Sequence, residues 1–427
     1  MMEEYPENRR PPFSQRLFGL VKGLSWKQTF AALRYPNYRL WFWGQLISLF
    51  GSWMQITAQG FLIYQLTRSP AYLGLAGFVA GLPTWIFMLY AGVVADRMPR
   101  RRLLIITQTT MLALAFILAG LTFGHLVEPW HILVLAFGMG VATAFDAPAR
   151  HAFVLEMVEP EDMTNAIALN AAMFNSATAL GPAVAGVTYA LFGPGWCFTI
   201  NGISFIAVIT ALALMKLRPF VPKKQATSVL QDLKEGLRYV ASHKMIRTII
   251  LTVGTVTLFG FAYATLIPAW AVKVLGGDST TNGFLLSARG VGALLGALLI
   301  ASLGRFKFRG KLLTFGTLAF PSFIILFAFV RWLPLSLLIL VAAGMSHILI
   351  FNLCNSLVQS FSPDELRGRI MSIYAFVFFG LMPVAALWIG GAAEKFGEPQ
   401  AVIIGGSISL LFALAVFFFV PKLHKLA

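Results

Sequence analysis

Residues 71–102 read AYLGLAGFVAGLPTWIFMLYAGVVADRMPRRR. No charged side chain interrupts positions 71 to 95; Asp96, Arg97 and, after Pro99, three consecutive arginines then follow. The hydrocarbon core of a bilayer is about 30 Å thick and takes roughly 20 apolar residues of helix to cross, so this run reads as one membrane span closed off by a basic loop. Outward in both directions, turn residues delimit eleven more such runs. Spans are expected at 40–65, 71–95, 103–124, 130–149, 163–192, 196–216, 246–272, 280–303, 312–330, 334–358, 368–393 and 400–420. The chain is therefore expected to be an all-α polytopic membrane protein with twelve transmembrane helices.

The loops carry the orientation. With a cytoplasmic N-terminus, 28 of the 33 Lys and Arg residues fall in inner loops, Arg68, Lys273, Arg331 and Lys395 lie outside, and Arg289 lies within a span. Lys and Arg accumulate on the cytoplasmic side of membrane proteins, so both termini are expected to be cytoplasmic. The net charge of +16 then belongs to loops that face anionic lipid headgroups. Nucleic acid is not an expected partner, because no water-facing domain carries a basic patch interleaved with aromatics. The first 35 residues lack a continuous apolar stretch, so span one itself is expected to direct insertion. Positions 13 to 33 mix apolar residues with Arg16, Lys22 and Lys27, a pattern open to a surface-lying helix or a disordered lead-in. Cys197 and Cys354 lie inside spans and suggest neither a disulfide nor a metal site. No cofactor or metal is expected.

The longest hydrophilic stretch divides the chain into an N-terminal segment 1–39, a bundle of six helices 40–216, a linker 217–245, a second six-helix bundle 246–421 and a tail 422–427. In the linker, Leu230, Leu233, Leu237 and Val240 are spaced three or four apart, as on one face of an amphipathic helix from 229 to 240. The halves resemble each other. Pro160-Glu161-Asp162-Met163 precedes span five, and Pro363-Asp364-Glu365-Leu366, 203 positions on, precedes span eleven. Gly193 and Gly397 end those two spans. Two pseudo-symmetric bundles related by an axis along the membrane normal, with a substrate site between them at mid-membrane, are one architecture of secondary transporters.

Between spans two and three stands Gly92-Val93-Val94-Ala95-Asp96-Arg97-Met98-Pro99-Arg100-Arg101-Arg102. It resembles the signature loop of the major facilitator superfamily, with Pro99 where that family usually has Gly. The chemistry suits a latch: Gly92 lets a neighbouring helix approach, and Asp96 at a helix end can accept from another helix N-terminus or from an Arg. The resemblance implies that Gly92, Asp96, Arg97 and Arg101 gate the inner side. The matching stretch in the second half, 296 to 311, keeps the glycine and a basic cluster (Arg305, Lys307, Arg309, Lys311) but has no acid, so the latch is expected to be asymmetric. Gly44-Gln45-Leu46-Ile47-Ser48, Asp146-Ala147-Pro148-Ala149-Arg150, Leu180-Gly181-Pro182 and Leu366-Arg367-Gly368-Arg369-Ile370-Met371-Ser372 are similar to the branch of this superfamily that contains the enterobactin exporter and related transmembrane secretion effectors. That likeness covers nearly the whole chain. It implies the twelve-helix fold, a bacterial inner-membrane location and export.

Polar residues inside the spans are the remaining candidates. Arg289 lies about ten residues, or roughly 15 Å, into span eight, with no membrane carboxylate as an obvious partner. It either meets an anionic group on the substrate or binds backbone carbonyls and water. Asp146 and Arg150, four apart, share a helix face near the inner end of span four and read either as an inner gate or as a structural ion pair. His347 near the middle of span ten is a candidate for proton coupling, against a plain structural role. By resemblance, spans one, seven, ten and eleven line a central cavity, which nominates Trp53, Gln55, Tyr263, Trp270, Phe351 and Tyr374. Gly181, Pro182 and Gly186 in span five resemble a helix-packing motif of antiporters; an ordinary proline kink is the alternative.

These features point to a secondary transporter, not an enzyme, since no convergent catalytic set or nucleotide loop is present. The expected activity is proton-coupled export of a small amphiphilic molecule by a monomer in contact with membrane lipids. Lipid or lysolipid flipping and nutrient import are the alternatives on the same fold.

Overall fold

Proline stands in the first turn of six long helices, at Pro36, Pro70, Pro129, Pro194, Pro334 and Pro399. An N–H there would have no intrahelical partner, so proline starts a helix without losing a bond. The computed structural model describes residues 30–217, 229–303 and 308–424. After a 3-10 turn, Ala31–Arg34, the first half contains α1 (Pro36–Thr67), α2 (Pro70–Arg97), α3 (Arg100–Phe123), α4 (Pro129–Val154), α5 (Met163–Phe192) and α6 (Pro194–Leu214). A linker helix, Val229–Ser242, follows. The second half contains α7 (Lys244–Val274), α8 (Ser279–Leu303), α9 (Arg309–Phe329), α10 (Leu333–Phe361), α11 (Arg367–Phe396) and α12 (Glu398–Phe419). The N-terminal lead-in to residue 29, linker positions 218–228, the basic residues Arg305 and Lys307, and the last three residues lie outside the described residues.

Among the described residues, 11 helices are long and apolar enough to cross a membrane. The other long helix, α5, matches them with 30 residues, but Asn165, Asn170 and Asn175 lower its hydropathy. The protein is an integral membrane protein of the expected all-α class. Its largest buried apolar cluster, from Val240 to Leu423, consists of second-half residues alone. The first half builds one cluster around Trp41 and Phe153, and a second around Phe198 that Ala269 and Val272 of α7 join. α5 and α11 both end on a glycine with positive φ, Gly193 at 87° and Gly397 at 89°, a backbone that side chains with a Cβ rarely adopt. Each glycine hands the chain to a proline-led helix, so the two halves turn the same corner in the same way.

The bundles meet along two antiparallel helix pairs. Between α5 and α8, a Cβ on Gly186 would fall 2.5 Å from the Ser279 carbonyl oxygen, and one on Gly283 2.4 Å from that of Pro182. Between α2 and α11, a Cβ on Gly74 would fall 2.5 Å from the Ala386 carbonyl oxygen. Small residues let backbones approach where lipid provides no hydrophobic drive for association.

Polar bonds pin the same pairs. Ser69 Oγ and the Ala71 N–H donate to Glu394 at 2.7 and 3.2 Å, and Trp85 Nε1 donates to the Gly380 carbonyl at 2.8 Å. The Ala183 N–H donates to Ser287 Oγ at 2.8 Å. These contacts occupy the ends of α2, α5, α8 and α11 farthest from the chain termini, and reach inward to Trp85 and Gly290.

Candidate substrate site

The second bundle carries the least satisfied polar groups, and α7 shapes their surroundings. This helix is regular from Lys244 to Thr255, widens into a π turn at Val256–Gly260, tightens into a 3-10 stretch at Phe261–Leu266, and widens again at Trp270–Val274. Pro268 supplies no N–H to the ladder, and π turns recur at functional sites because they re-aim side chains. Here Phe261 is aimed at α8 and α10. Arg289 Cζ lies 5.0 Å from the Phe261 ring centroid, and the His347 ring stacks on Phe261 at 4.5 Å and 16°. His347 also touches Phe351 at 4.6 Å and Phe320 at 5.3 Å.

On α8, Phe284, Leu295 and Leu298 are exposed on the outside of the bundle. Asn282 and Arg289, seven residues apart, lie on the opposite side, at 100° per residue. A Cβ on Gly344 of α10 would fall 2.1 Å from the Arg289 carbonyl oxygen, so the backbone at Arg289 is pressed against α10 while its side chain lies over Phe261 of α7.

Among the described residues, Arg289 makes no hydrogen bond and no ion pair, and its Nε is buried without a partner. Both amide atoms of Asn282, the Tyr263 hydroxyl and His347 Nε2 are likewise buried and unpartnered. An arginine near mid-membrane costs about 2.5–3.5 kcal/mol on insertion scales. A cation–π contact returns about 0.5–2 kcal/mol. The remaining cost would fall if a negative group joined the guanidinium, and no described Asp or Glu does so.

The other nominated residues have different settings. Asp146 is fully buried and accepts from Thr107 Oγ1 at 2.9 Å, from Gln108 Nε2 at 2.8 Å, and from Arg150 through both Nε, at 2.8 Å, and Nη2. These bonds join α3 to α4 inside the first bundle. Gln55 is 5 % exposed and accepts from Asn201 Nδ2 of α6 at 2.6 Å. Trp53 packs edge-on against Phe174 at 6.0 Å. Tyr263 and Trp270, nominated for the cavity, are buried against Phe327 of α9. Their rings belong to the second bundle's own core, Tyr263 from the 3-10 stretch and Trp270 from the π turn that follows it. Tyr374 donates to the Phe351 carbonyl at 2.9 Å and so fixes one wall of the His347 cluster.

In the signature loop, Arg101 donates to the Ala213 and Met215 carbonyls at the end of α6, at 2.7 and 3.2 Å. Arg100 pairs with Glu156 and lies 4.0 Å from Asp96. A Cβ on Gly92 would meet nothing within 4 Å, and one on Gly181 would fall 2.7 Å from Trp53 Cβ. Gly181 therefore packs within its own bundle, whereas Gly186 and the Pro182 carbonyl pack across to α8.

Asn282 and Glu394 were missed from sequence. A polar residue seven positions before Arg289 marks the same helix face, so Asn282 had a signal. Glu394 had none, because its partner Ser69 is 325 positions away.

The transmembrane secretion effector family matches residues 27–426. The chain belongs to that family, a branch of the major facilitator superfamily. The staphyloferrin A transporter of Staphylococcus aureus is 25% identical over 91% of this chain and 97% of its own length. The multidrug efflux pump Tap of Mycolicibacterium fortuitum is 25% identical over 88% and 93%. The enterobactin exporter EntS of Escherichia coli is 24% identical over 94% and 96%. A bacterial homologue of the lysosomal transporter Spinster, solved inward-facing and unoccupied, superposes with a TM-score of 0.72 at 13% identity, covering 91% of this chain and 98% of that one. A POT peptide transporter gives 0.73 at 12% identity, covering 91% and 95%. The chain is thus a membrane transporter related to siderophore and drug exporters, in a family of transporters and not of enzymes.

Proposed function

We propose that this protein is a secondary active exporter that works by alternating access and exchanges a small amphiphilic molecule, siderophore-like or drug-like, for protons. The observation that carries the reading is the one-sided contact between the bundles. Glu394 holds the N-terminus of α2, and glycines seat α8 against α5, all toward the face away from the chain ends. With both termini cytoplasmic, as the basic loops imply, this arrangement is closed to the outside and loads from the cytoplasm. Opening the far face means breaking a few hydrogen bonds, each worth about 0.5–1.5 kcal/mol net, and separating glycine-lined surfaces that have little side-chain interlock. That scale suits a two-state transporter. Relatives named for efflux and export support the direction. In the same reading, Asp96, Arg97 and Arg101 act on the cytoplasmic side, and His347 is the candidate proton carrier among span residues.

The test is probe accumulation in cells with and without the protein, followed by counterflow in proteoliposomes with and without a pH gradient. Lower accumulation in expressing cells is expected, and equal or higher accumulation overturns export. A pH gradient is expected to raise the initial counterflow rate; identical rates exclude proton coupling.

A further inference from the structure

We infer that the second bundle holds an anion subsite, centred on Arg289, that takes the carboxylate of a planar aryl substrate. This deepens the export reading and rests on it for transport, though not for binding. Three observations converge. The guanidinium has no acid and no hydrogen-bond acceptor among the described residues, yet Arg289, Phe261 and His347 each keep part of their surface open. Asn282, on the same side of α8, and Tyr263, on the irregular stretch of α7, bring unpartnered amide and hydroxyl groups to the same bundle interior. The rings of Phe261, His347, Phe351 and Phe378 form a continuous chain, with successive centroids 4.5, 4.6 and 4.4 Å apart.

The charge count selects the ligand class. Arg289 is the sole Lys or Arg away from the ends of α7 to α11, so the subsite matches one negative charge better than the two of a phosphate monoester. A guanidinium presents a planar fork of donors that fits the two oxygens of a carboxylate. Offset ring faces beside it suit a flat aromatic body. The carboxylate would accept from Arg289, and the aryl group would lie along Phe261 and Phe351.

The test is equilibrium binding of tritiated 2-naphthoate to the purified full-length protein in lipid nanodiscs, with unlabelled 2-naphthamide as the uncharged competitor of the same shape. Saturable naphthoate binding is expected, with naphthamide competing at least about tenfold more weakly, a difference of roughly 1.4 kcal/mol. Arg289→Gln is expected to lose about tenfold in naphthoate affinity and to bind acid and amide alike, with Arg289→Lys in between. Phe261→Leu leaves the charge in place and is expected to weaken acid and amide equally. It also keeps the test decisive if thermal unfolding shows the Arg289 variants to be misfolded. The inference is overturned if the wild type does not bind naphthoate saturably, if the amide competes as well as the acid, or if folded Arg289→Gln keeps wild-type affinity. Efflux of the uncharged dye N-phenyl-1-naphthylamine from proteoliposomes reports on export separately. Dye efflux without naphthoate binding sinks the subsite and leaves export standing; naphthoate binding without any efflux does the reverse.

Discussion

Each bundle buries one charge deep within its helices, and the two are treated in opposite ways. In the first bundle, Asp146 is fully buried and takes four hydrogen bonds from Thr107, Gln108 and Arg150. In the second, Arg289 donates none to any described residue and rests against the face of Phe261. A charge with complete partners holds helices together, and removing one partner strands the other. A charge left without them burdens the folded state. The contrast distinguishes a satisfied charge from an unsatisfied one more sharply than the mere presence of charged residues in spans.

The largest expected effect comes from breaking the satisfied side. Asp146→Ala should destabilise the protein by about 3–5 kcal/mol, because partly exposed Arg150 loses its acid and buried Thr107 and Gln108 lose their acceptor, and thermal unfolding in nanodiscs would register it. Adding Arg150→Ala should recover part of that loss, and a single-variant loss under about 1 kcal/mol would remove Asp146 from the structural side. Next in size, Gly186→Leu should disfavour the closed far face by about 1–3 kcal/mol through overpacking against Ser279. Far-face cysteine labelling should rise while folding is retained.

The unsatisfied side should respond with the other sign. Arg289→Gln removes an uncompensated membrane charge and should stabilise the empty protein by about 0.5–3 kcal/mol, the insertion cost less the lost cation–π contact. Destabilisation by that amount would mean that Arg289 is held structurally after all, like Asp146. The smallest effect is expected at Glu394→Gln. It keeps the shape but weakens the charge-assisted bonds to Ser69 Oγ and the Ala71 N–H by about 0.5–1 kcal/mol at this exposed site, shifting the equilibrium modestly toward an open far face. Single-molecule distances across Ser69 and Glu394 would detect the shift.

Comparison of expected and observed elements shows where sequence reasoning carries. Span two was expected at 71–95 and runs Pro70–Arg97; span six was expected at 196–216 and runs Pro194–Leu214. The linker helix was expected over 229–240, and the described residues Val229–Ser242 are helical. Hydropathy, proline and glycine act over a few residues, so such boundaries are written locally. Span seven was expected at 246–272 and runs Lys244–Val274, but its π and 3-10 turns had no local signal beyond Pro268. A proline tells that the ladder must break, not which register the neighbouring helices will impose. The candidate site was legible in part. Arg289 and His347 stood out as polar interruptions, but Gln55 and Tyr263 were assigned to a central cavity and are instead buried inside their bundles.

By itself the sequence determined that this chain is an all-helical membrane protein, where its helices lie to within a few residues, and that one arginine lies in mid-span without a nearby acid. It could do so because a bilayer demands long apolar runs and self-contained backbone hydrogen bonding, which are properties of local composition. Only the tertiary structure decided which buried charge is satisfied, which glycines join the bundles, and that Glu394 meets Ser69. Those outcomes depend on helix rotation and on partners hundreds of residues apart, which no local pattern of amino acids encodes.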